Sequence, residues 1–262
     1  MPEGHSIHHF KRIHSDYFVN RTVAVSSPQG RFSDEASKID GTTLEKITAY
    51  GKHLFFHFEN DKIVHVHLGL YGWFNFCDVD DDDAMEHRQE SIRMQLQTDW
   101  IVSRLRGPIT CELIDHCEVE KIIDKLGPDP ILEDSDQERA WNKISTRKKP
   151  IASLLMDQSI IAGIGNVYRA ELLFMARIYP YTYGTNMLKD DFDHLWRLSK
   201  RYMKLGSFDG YIQTLDQRLV EDSNQSTWVY GRQRLQCFVC KYPVTATMVD
   251  GRKLYWCPEC QI

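Results

Sequence analysis

The sequence predicts an α+β protein of several domains: an N-terminal helix with an antiparallel β-sandwich or barrel, a helical domain, and a small Cys-rich β-hairpin. Three observations support this prediction. An apolar helical stripe opens the chain, short β-rich runs fill positions 21–115, and a helical pattern with clustered cysteines follows a Pro-containing break. We expect domains at 1–120, 133–229 and 230–262, with a linker at 121–132.

The N-terminal helix is predicted over residues 4–18. Ile7, Phe10, Ile13 (or His14) and Phe18 recur at helical spacing and share one face. This stripe is typical of an amphipathic helix packed on a core.

Short runs of β-branched and aromatic residues follow, separated by Gly, Asn and Asp. Examples are residues 22–25, 53–58 and 63–68. Runs of this length with such punctuation indicate strands of an antiparallel sheet.

Residues 126–130 (Leu-Gly-Pro-Asp-Pro) interrupt regular structure and indicate a linker. Beyond them, helices are predicted at about 136–145, 150–158, 165–176, 188–205 and 208–218. The Cys-rich tail begins at about residue 230.

Composition sets broad limits on function. The chain has 262 residues and 42% hydrophobic residues, enough for two modest domains or one large domain. No run approaches the roughly 18 apolar residues of a membrane span, and the N-terminus lacks the pattern of a secretory signal. We therefore expect a cytoplasmic protein with no membrane partner. We also expect a monomer.

The net charge of −5 argues mildly against nucleic acid as a partner, but the acidic residues are concentrated locally. They form runs at 78–86 and 133–138, which indicate solvated loops. Basic residues cluster elsewhere, at 147–149 and at Arg232 and Arg234, so the distribution matters more than the sum.

The tail carries the strongest spacing motif. Cys237-x-x-Cys240 is followed after sixteen residues by Cys257-x-x-Cys260. Four thiolates on two tight turns suit a tetrahedral Zn²⁺ site, which is structural because no ligand position stays open. Two disulfides are the alternative. The dispersed cysteines (Cys77, Cys111 and Cys117) are expected to pack as small apolar side chains.

Two further segments indicate anion binding. In residues 163–171 a Gly-rich turn precedes a helix, whose N-terminus offers N–H groups to an anion. Arg252 stands at the predicted hairpin turn, where a guanidinium is suited to grip a phosphate. Each motif alone is weak, because Gly-rich turns and solvated arginines are common.

The N-terminus carries a possible nucleophile. Removal of Met1 would expose the secondary amine of Pro2, and an α-amino group has a pKa near 8, well below that of lysine. An uncharged amine attacks carbon to form an iminium, and Glu3 is placed to act as a general acid or base. Alternatively, Glu3 merely favours the dipole of the first helix.

Together these segments resemble the formamidopyrimidine-DNA glycosylase and endonuclease VIII family over the whole chain. The matching text is Met1-Pro2-Glu3-Gly4, Gly51-Lys52, His67-Leu68-Gly69, residues 155–168 and Gly251-Arg252 leading to Cys257-Pro258-Glu259-Cys260-Gln261.

The resemblance implies a two-layered β-sandwich, a helix–two-turn–helix domain and a zinc-finger hairpin, with damaged DNA, duplex or single-stranded, in the cleft between them. It implies that Pro2 attacks the sugar C1′ and that Glu3 assists base loss and ring opening. Lys52 is expected to join Pro2 and Glu3 among the catalytic residues, and phosphate contacts are implied for Lys52, His67, Asn166 and Arg252. The family function is that of a bifunctional glycosylase and abasic-site lyase of base excision repair, acting by β,δ-elimination.

Leu70 and Tyr71 are expected to fill the space left by the flipped nucleotide, although strand packing is the alternative. Leu70-Tyr71-Gly72 resembles the endonuclease VIII branch, and residues 105–108 lack the paired-arginine and phenylalanine motif of the purine branch. Both features favour oxidised pyrimidines as substrates. His5-Ser6 departs from the Pro-Glu that is frequent in the family, which leaves the fine preference open.

Two other functions compete with this one. A non-catalytic zinc-finger DNA-binding protein of the same fold would keep Asn166 and Arg252 but make no use of Pro2. A metal-dependent hydrolase is poorly supported, because the histidines form no His-Glu-x-x-His motif.

Overall fold

The computed structural model describes residues 2–80, 89–216 and 225–262. The chain divides into two compact units. Unit 1 contains Pro2 and residues 6–124, and unit 2 contains residues 3–5 and 125–262. The finer division at residues 120, 132 and 229 stays a prediction. The acidic positions 81–83 and 86 lie outside the described residues.

Helix α1 (Gly4–Phe18) has the predicted bounds. Its apolar stripe passes through His14 rather than Ile13, because His14 is fully buried. Nδ1 of His14 lies 2.7 Å from the carbonyl oxygen of Phe10, and Nε2 lies 2.8 Å from the hydroxyl of Ser103. Burial lowers the pKa of His14 to about 3, so the imidazole is neutral in the folded protein.

Eight strands and a short helix α2 (Ser33–Ala36) complete most of unit 1. The strands are β1 (Arg21–Ser26), β2 (Thr42–Tyr50), β3 (His53–Phe58), β4 (Lys62–His67), β5 (Trp73–Asp78), β6 (Ile92–Gln97), β7 (Ile101–Arg106) and β8 (Thr110–Ile114). All pairs are antiparallel, in the order β5-β7-β6-β1-β2-β3-β4-β8. The first half of β1 pairs with β2 and its second half with β6, so one strand joins both layers. The predicted sandwich and its strands at 22–25, 53–58 and 63–68 are confirmed.

The layer formed by β2, β3, β4 and β8 has two different faces, because side chains alternate along each strand. Leu54, Phe56 and Val66 belong to the main core of unit 1. Phe55 and Ile63 point the other way and pack with Val119 of helix α3 (His116–Asp124) and with Ile114. His53, His65, His67 and Glu112 share this second face by the same alternation, beyond the part that α3 covers.

The helices of unit 2 lie between residues 137 and 209, before its C-terminal hairpin. They are α4 (Gln137–Ile144), α5 (Ile151–Leu154), α6 (Asn166–Met175) and α7 (Lys189–Asp209), with a 3-10 turn at Gly184–Asn186. The carboxylate of Asp136 caps α4 by accepting from the N–H of Arg139 at 3.0 Å. Three predicted helices are confirmed within a few residues, whereas α5 is shorter than predicted.

The predicted helix at 208–218 is wrong over residues 210–216. Helix α7 instead continues to Asp209, and Gly210 ends it in the left-handed conformation, with φ of 82°. Glycine adopts this conformation without steric cost, which makes it an effective helix terminator. Residues 217 and 218 lie outside the described residues.

The C-terminal hairpin is confirmed, with strands β9 (Thr245–Val249) and β10 (Arg252–Trp256). Asp250 and Gly251 form the turn with positive φ at both positions, as a tight two-residue hairpin requires. Val244, Leu254 and Cys257 pack into the same core as the helices of unit 2. Within the described residues, no helix has the length and apolar character needed to span a membrane.

Candidate functional site

Glu3 is fully buried and lies at the N-terminus of α6. Its Oε2 accepts hydrogen bonds from the backbone N–H of Gly165 at 2.9 Å and of Tyr168 at 3.3 Å, and its Oε1 accepts from Val167 at 2.8 Å. The first turn of a helix carries unsatisfied donors and partial positive charge, so it stabilises an anion. Glu3 is therefore held as a carboxylate by the first turn of α6.

The glycines of the 163–165 turn make this contact possible. A Cβ on Gly165 would lie 2.4 Å from the carboxyl carbon of Glu3, and a Cβ on Gly4 would lie 2.8 Å from the Cα of Gly163. The N–H of Gly4 also donates to the carbonyl of Gly163 at 2.8 Å. The predicted anion-binding turn thus holds a carboxylate of the chain itself.

Pro2 is half-buried and directly precedes Glu3. Met1, on whose removal the predicted nucleophile depends, lies outside the described residues. The anchorage of Glu3 restrains the backbone on the C-terminal side of Pro2.

Asn166 begins α6 and is almost fully buried. Its side-chain amide donates to the carbonyl of Lys253 at 2.9 Å, and its carbonyl oxygen accepts from the guanidinium of Arg169. The amide therefore links α6 to strand β10. A phosphate would have to use the second amide hydrogen or displace one of these partners.

Arg252 is exposed and pairs with Val249 as the first residue of β10. The sequence prediction placed it at the turn, but Asp250 and Gly251 form the turn itself. Arg252 directly precedes Lys253, whose carbonyl accepts the hydrogen bond from Asn166.

Lys52 follows Gly51 in the turn between β2 and β3, where Gly51 has a φ of 57°. His67 ends β4 opposite His53, and the ring centroids of the two histidines are 4.9 Å apart. The N–H of Gly69 donates to Nδ1 of His67 at 3.2 Å. Because Nδ1 is an acceptor, neutral His67 carries its proton on Nε2. Lys52, which directly precedes β3, and His67, which ends β4, thus lie at the same end of two neighbouring antiparallel strands of unit 1.

Leu70 and Tyr71 project from the tight turn between β4 and β5. Their side chains are 45% and 86% exposed, so neither belongs to a core. Gly69 has a φ of 66°, and the N–H of Gly72 closes the turn on the carbonyl of Leu68 at 2.9 Å. Exposed apolar side chains on a short turn suit insertion into a base stack.

The four tail cysteines converge. Their sulfur atoms all lie within 4.8 Å of one another, with 3.8 Å between Cys237 and Cys260 and 3.4 Å between Cys240 and Cys257. A tetrahedron with Zn–S bonds of about 2.3 Å has edges of about 3.8 Å. All four are free thiols, so the disulfide alternative is wrong. The donor set fits a closed zinc site.

Sequence reasoning missed two buried charges on α6. Arg169 is fully buried and also approaches the carbonyls of Ala152 and Lys253 at 3.5 Å. Glu171 accepts hydrogen bonds from the backbone N–H groups of residues 228–230 and from the hydroxyl of Thr214. Burial raises the pKa of Glu171, and these hydrogen bonds oppose the rise. The sequence feature that could have revealed both residues is the presence of charged side chains inside an otherwise apolar helical run.

Comparison with known proteins agrees with this architecture. Two family models match: the formamidopyrimidine-DNA glycosylase N-terminal domain over residues 1–108, and the formamidopyrimidine-DNA glycosylase H2TH domain over residues 126–214. Endonuclease 8 1 of Mycobacterium tuberculosis is 41% identical over 267 residues, covering 100% of both chains. The formamidopyrimidine-DNA glycosylase of Rickettsia felis is 30% identical and covers 86% of this chain and 83% of the relative.

The solved structure of Lactococcus lactis Fpg with abasic-site DNA superposes with a TM-score of 0.82 at 20% identity, covering 99% of each chain. At that identity the likeness shows the fold alone. The family is shown by the sequence relationship, which reaches 41% identity over the full length of both chains. The chain is a member of the formamidopyrimidine-DNA glycosylase and endonuclease VIII family and, as the sequence predicts, an enzyme of the DNA glycosylase class.

Proposed function

We propose that this protein is a bifunctional DNA glycosylase and abasic-site lyase of base excision repair, with the amine of Pro2 as its nucleophile. The observation that carries the proposal is the anchorage of Glu3 on α6. Three backbone N–H groups hold the residue next to Pro2, which restrains the nucleophile before substrate arrives. The amine exists only after Met1 is removed.

In the proposed reaction the lone pair of the Pro2 nitrogen forms a bond to C1′ of the flipped nucleotide. The glycosidic bond breaks and the base leaves with a proton taken from solvent. The N–H proton of Pro2 passes to O4′ as the C1′–O4′ bond breaks, which opens the sugar ring and gives an iminium. Loss of the 3′ phosphate by β-elimination and of the 5′ phosphate by δ-elimination then cuts the strand on both sides. Glu3, held as a carboxylate, favours the positive charge that develops during base loss.

Each unit supplies its own proposed DNA contacts. In unit 1 these are Lys52 and the Nε2–H of His67, which meet phosphate oxygens, and Leu70 and Tyr71, which fill the space of the flipped nucleotide. In unit 2 they are Asn166 and Arg252. We propose that the protein binds damaged DNA as a monomer, with domains at 1–120, 133–229 and 230–262.

One structural Zn²⁺ is proposed at Cys237, Cys240, Cys257 and Cys260. Four thiolates leave no open coordination position, so the ion would fix the hairpin that carries Arg252 and supply no chemistry of its own.

Oxidised pyrimidines are the proposed lesions. The Leu70-Tyr71-Gly72 segment and the whole-length match to a protein named endonuclease 8 support this preference. Competing excision of thymine glycol and of 8-oxoguanine opposite cytosine tests it, and faster excision of 8-oxoguanine would overturn it.

Borohydride trapping on DNA with an abasic site tests the mechanism. Intact mass first establishes that Met1 is absent. We expect a covalent adduct with the wild type and none with Pro2→Gly. If Met1-free protein binds this DNA without forming an adduct, the alternative holds, namely a non-catalytic zinc-finger DNA-binding protein of the same fold.

A further inference from the structure

A chain of hydrogen bonds lies beside Lys52 on the second face of the unit 1 sheet. Nδ1 of His53 is 2.9 Å from Nε2 of His65, and Nδ1 of His65 is 3.0 Å from Oε1 of Glu112. The strand register produces this row, because His65 is paired with Glu112 and His53 with His67.

The Glu112 carboxylate at one end of this chain determines which ring nitrogens of His65 and His53 carry a proton. An ionised Glu112 only accepts, so Nδ1 of His65 carries a proton and Nε2 of neutral His65 is an acceptor. His53 must then donate from Nδ1, which leaves its Nε2 without a proton. Burial lowers the pKa of His65, and burial with the nearby His67, His65 and Lys52 lowers the pKa of His53 to about 3. Both rings are neutral in the free protein.

This arrangement leaves two unlike nitrogens close to Lys52. Nε2 of His67 is a donor, fixed by the hydrogen bond from Gly69, whereas Nε2 of His53 is an acceptor. Phosphate oxygens only accept hydrogen bonds, so the His53 lone pair opposes a phosphate in its present state.

We propose that a DNA phosphate docking at Lys52 and His67 drives uptake of one proton along the chain Glu112–His65–His53, which converts His53 from an acceptor into a donor. The proposal rests on the phosphate-binding role given to Lys52 and His67 under the proposed function.

A proton from solvent bonds to Nε2 of His53, the Nδ1–H bond of His53 breaks, and that proton bonds to Nε2 of His65. His65 keeps its Nδ1 proton and becomes an imidazolium paired with the Glu112 carboxylate. His53 ends neutral with an N–H at Nε2, and the complex has gained one proton.

The neighbouring charges favour this distribution. Lys52 and His67 oppose a positive charge on His53, whereas Glu112 favours one on His65. Tyr50 is paired with His53 on β2. Helix α3 packs farther along the face through Val119, and its His116 lies 3.5 Å from Asp61.

Calorimetric titration of a duplex containing a tetrahydrofuran abasic analogue, in buffers of different ionisation enthalpy at pH 7, counts the protons taken up. We expect about one proton per complex in the wild type. Because the complex then holds more protons than the free protein, affinity falls as pH rises, by up to about tenfold per pH unit.

Two variants locate the uptake, and a third is the matched control. Glu112→Gln removes the counter-charge and His53→Gln removes the acceptor, so each should lose at least half of the proton uptake. His116→Gln, which changes a histidine outside the chain, should keep it.

Binding without proton uptake, or uptake that both variants retain, would overturn this inference and leave the proposed function standing. Failure of the Met1-free wild type to bind the duplex would instead refute the proposed function. Two-bond ¹H–¹⁵N spectra of the free protein give an independent check: a proton on Nε2 rather than Nδ1 of His53 at pH 7 would contradict the chain of donors.

Discussion

Oε1 of Glu3 accepts a 2.8 Å hydrogen bond from the backbone N–H of Val167, across 164 positions of sequence. The residue next to the proposed nucleophile is therefore held by the first turn of a distant helix. The same helix begins with Asn166, whose amide reaches strand β10. The N-terminus of α6 therefore contacts both Glu3 and the C-terminal hairpin.

Replacing Glu3 with glutamine should abolish most base excision. The NH₂ group of the new side chain would face backbone donors, and the negative charge at the helix terminus would be lost. Leaving buried donors unsatisfied costs about 1–3 kcal/mol, so thermal unfolding should shift to lower temperature. Thymine glycol release and a thermal melt measure both effects, with Glu45→Gln, an exposed carboxylate of β2, as the control. Full excision activity in E3Q would contradict the assigned role.

Gly165→Ala should impair catalysis while keeping every charged residue. Its Cβ would lie 2.4 Å from the carboxyl carbon of Glu3, so the side chain of Glu3 must move. We expect base excision to be slower in this variant. The double variant with Glu3→Gln should excise the base almost as fast as the slower of the two single variants, because both changes break the same contact. Additive losses in the rate of excision would show that Gly165 acts elsewhere.

Cys260→Ser should lower the zinc content from one ion per chain and weaken DNA binding. The substitution removes the fourth thiolate of the proposed zinc site. Cys237 and Cys257 of this site pack into the core of unit 2, so loss of the ion should also disturb the hairpin that carries Arg252. Elemental analysis and binding of abasic-site duplex provide the measurements. Cys117→Ser, at an exposed cysteine outside the cluster, should change neither quantity. An equal zinc content in C260S would argue against a four-cysteine site.

Tyr71→Ala should slow excision from duplex DNA by about tenfold, equivalent to about 1.4 kcal/mol, and leave excision from single strands almost unchanged. A side chain that is 86% exposed contributes little to folding, so the loss would reflect the unfilled space in the base stack. The ratio of kcat/KM on the two substrates measures the effect. Tyr183→Ala, at another exposed tyrosine, is the control, and an equal loss on both substrates would exclude a wedge.

His14 should make stability depend on pH. Its pKa is about 3 in the folded protein and about 6.5 when unfolded, so the unfolded chain binds more protons between these values. Stability is therefore lost as pH falls below about 6.5, at about 1.4 kcal/mol per pH unit.

Urea unfolding of the wild type and of His14→Gln at pH 7 and pH 5 tests this slope. The wild type should lose about 2 kcal/mol more than the variant between the two pH values. Identical losses would mean that His14 does not titrate on unfolding.

Much of this protein could be predicted because the relevant patterns are local. The apolar spacing of residues 4–18 defined α1, and the two Cys-x-x-Cys pairs predicted the four-cysteine cluster of the tail. Local patterns were insufficient where tertiary context decided the outcome. The apolar spacing left Ile13 and His14 open, and His14 is the buried one because Ser103 and the carbonyl of Phe10 satisfy both of its ring nitrogens. The extension of α7 to Asp209 likewise removed a predicted separate helix.

By itself, the sequence determined most of the order of elements, the cluster of four cysteines and a family resemblance carried by short motifs, because periodicity and spacing are set within a few residues. Only the tertiary structure decided where Glu3 is held, which partners Asn166 uses and that His53, His65 and Glu112 form one chain. Those contacts join residues that are distant in sequence, and they depend on strand register and on the packing of α6. No pattern along the chain specifies which donor meets which acceptor across such distances.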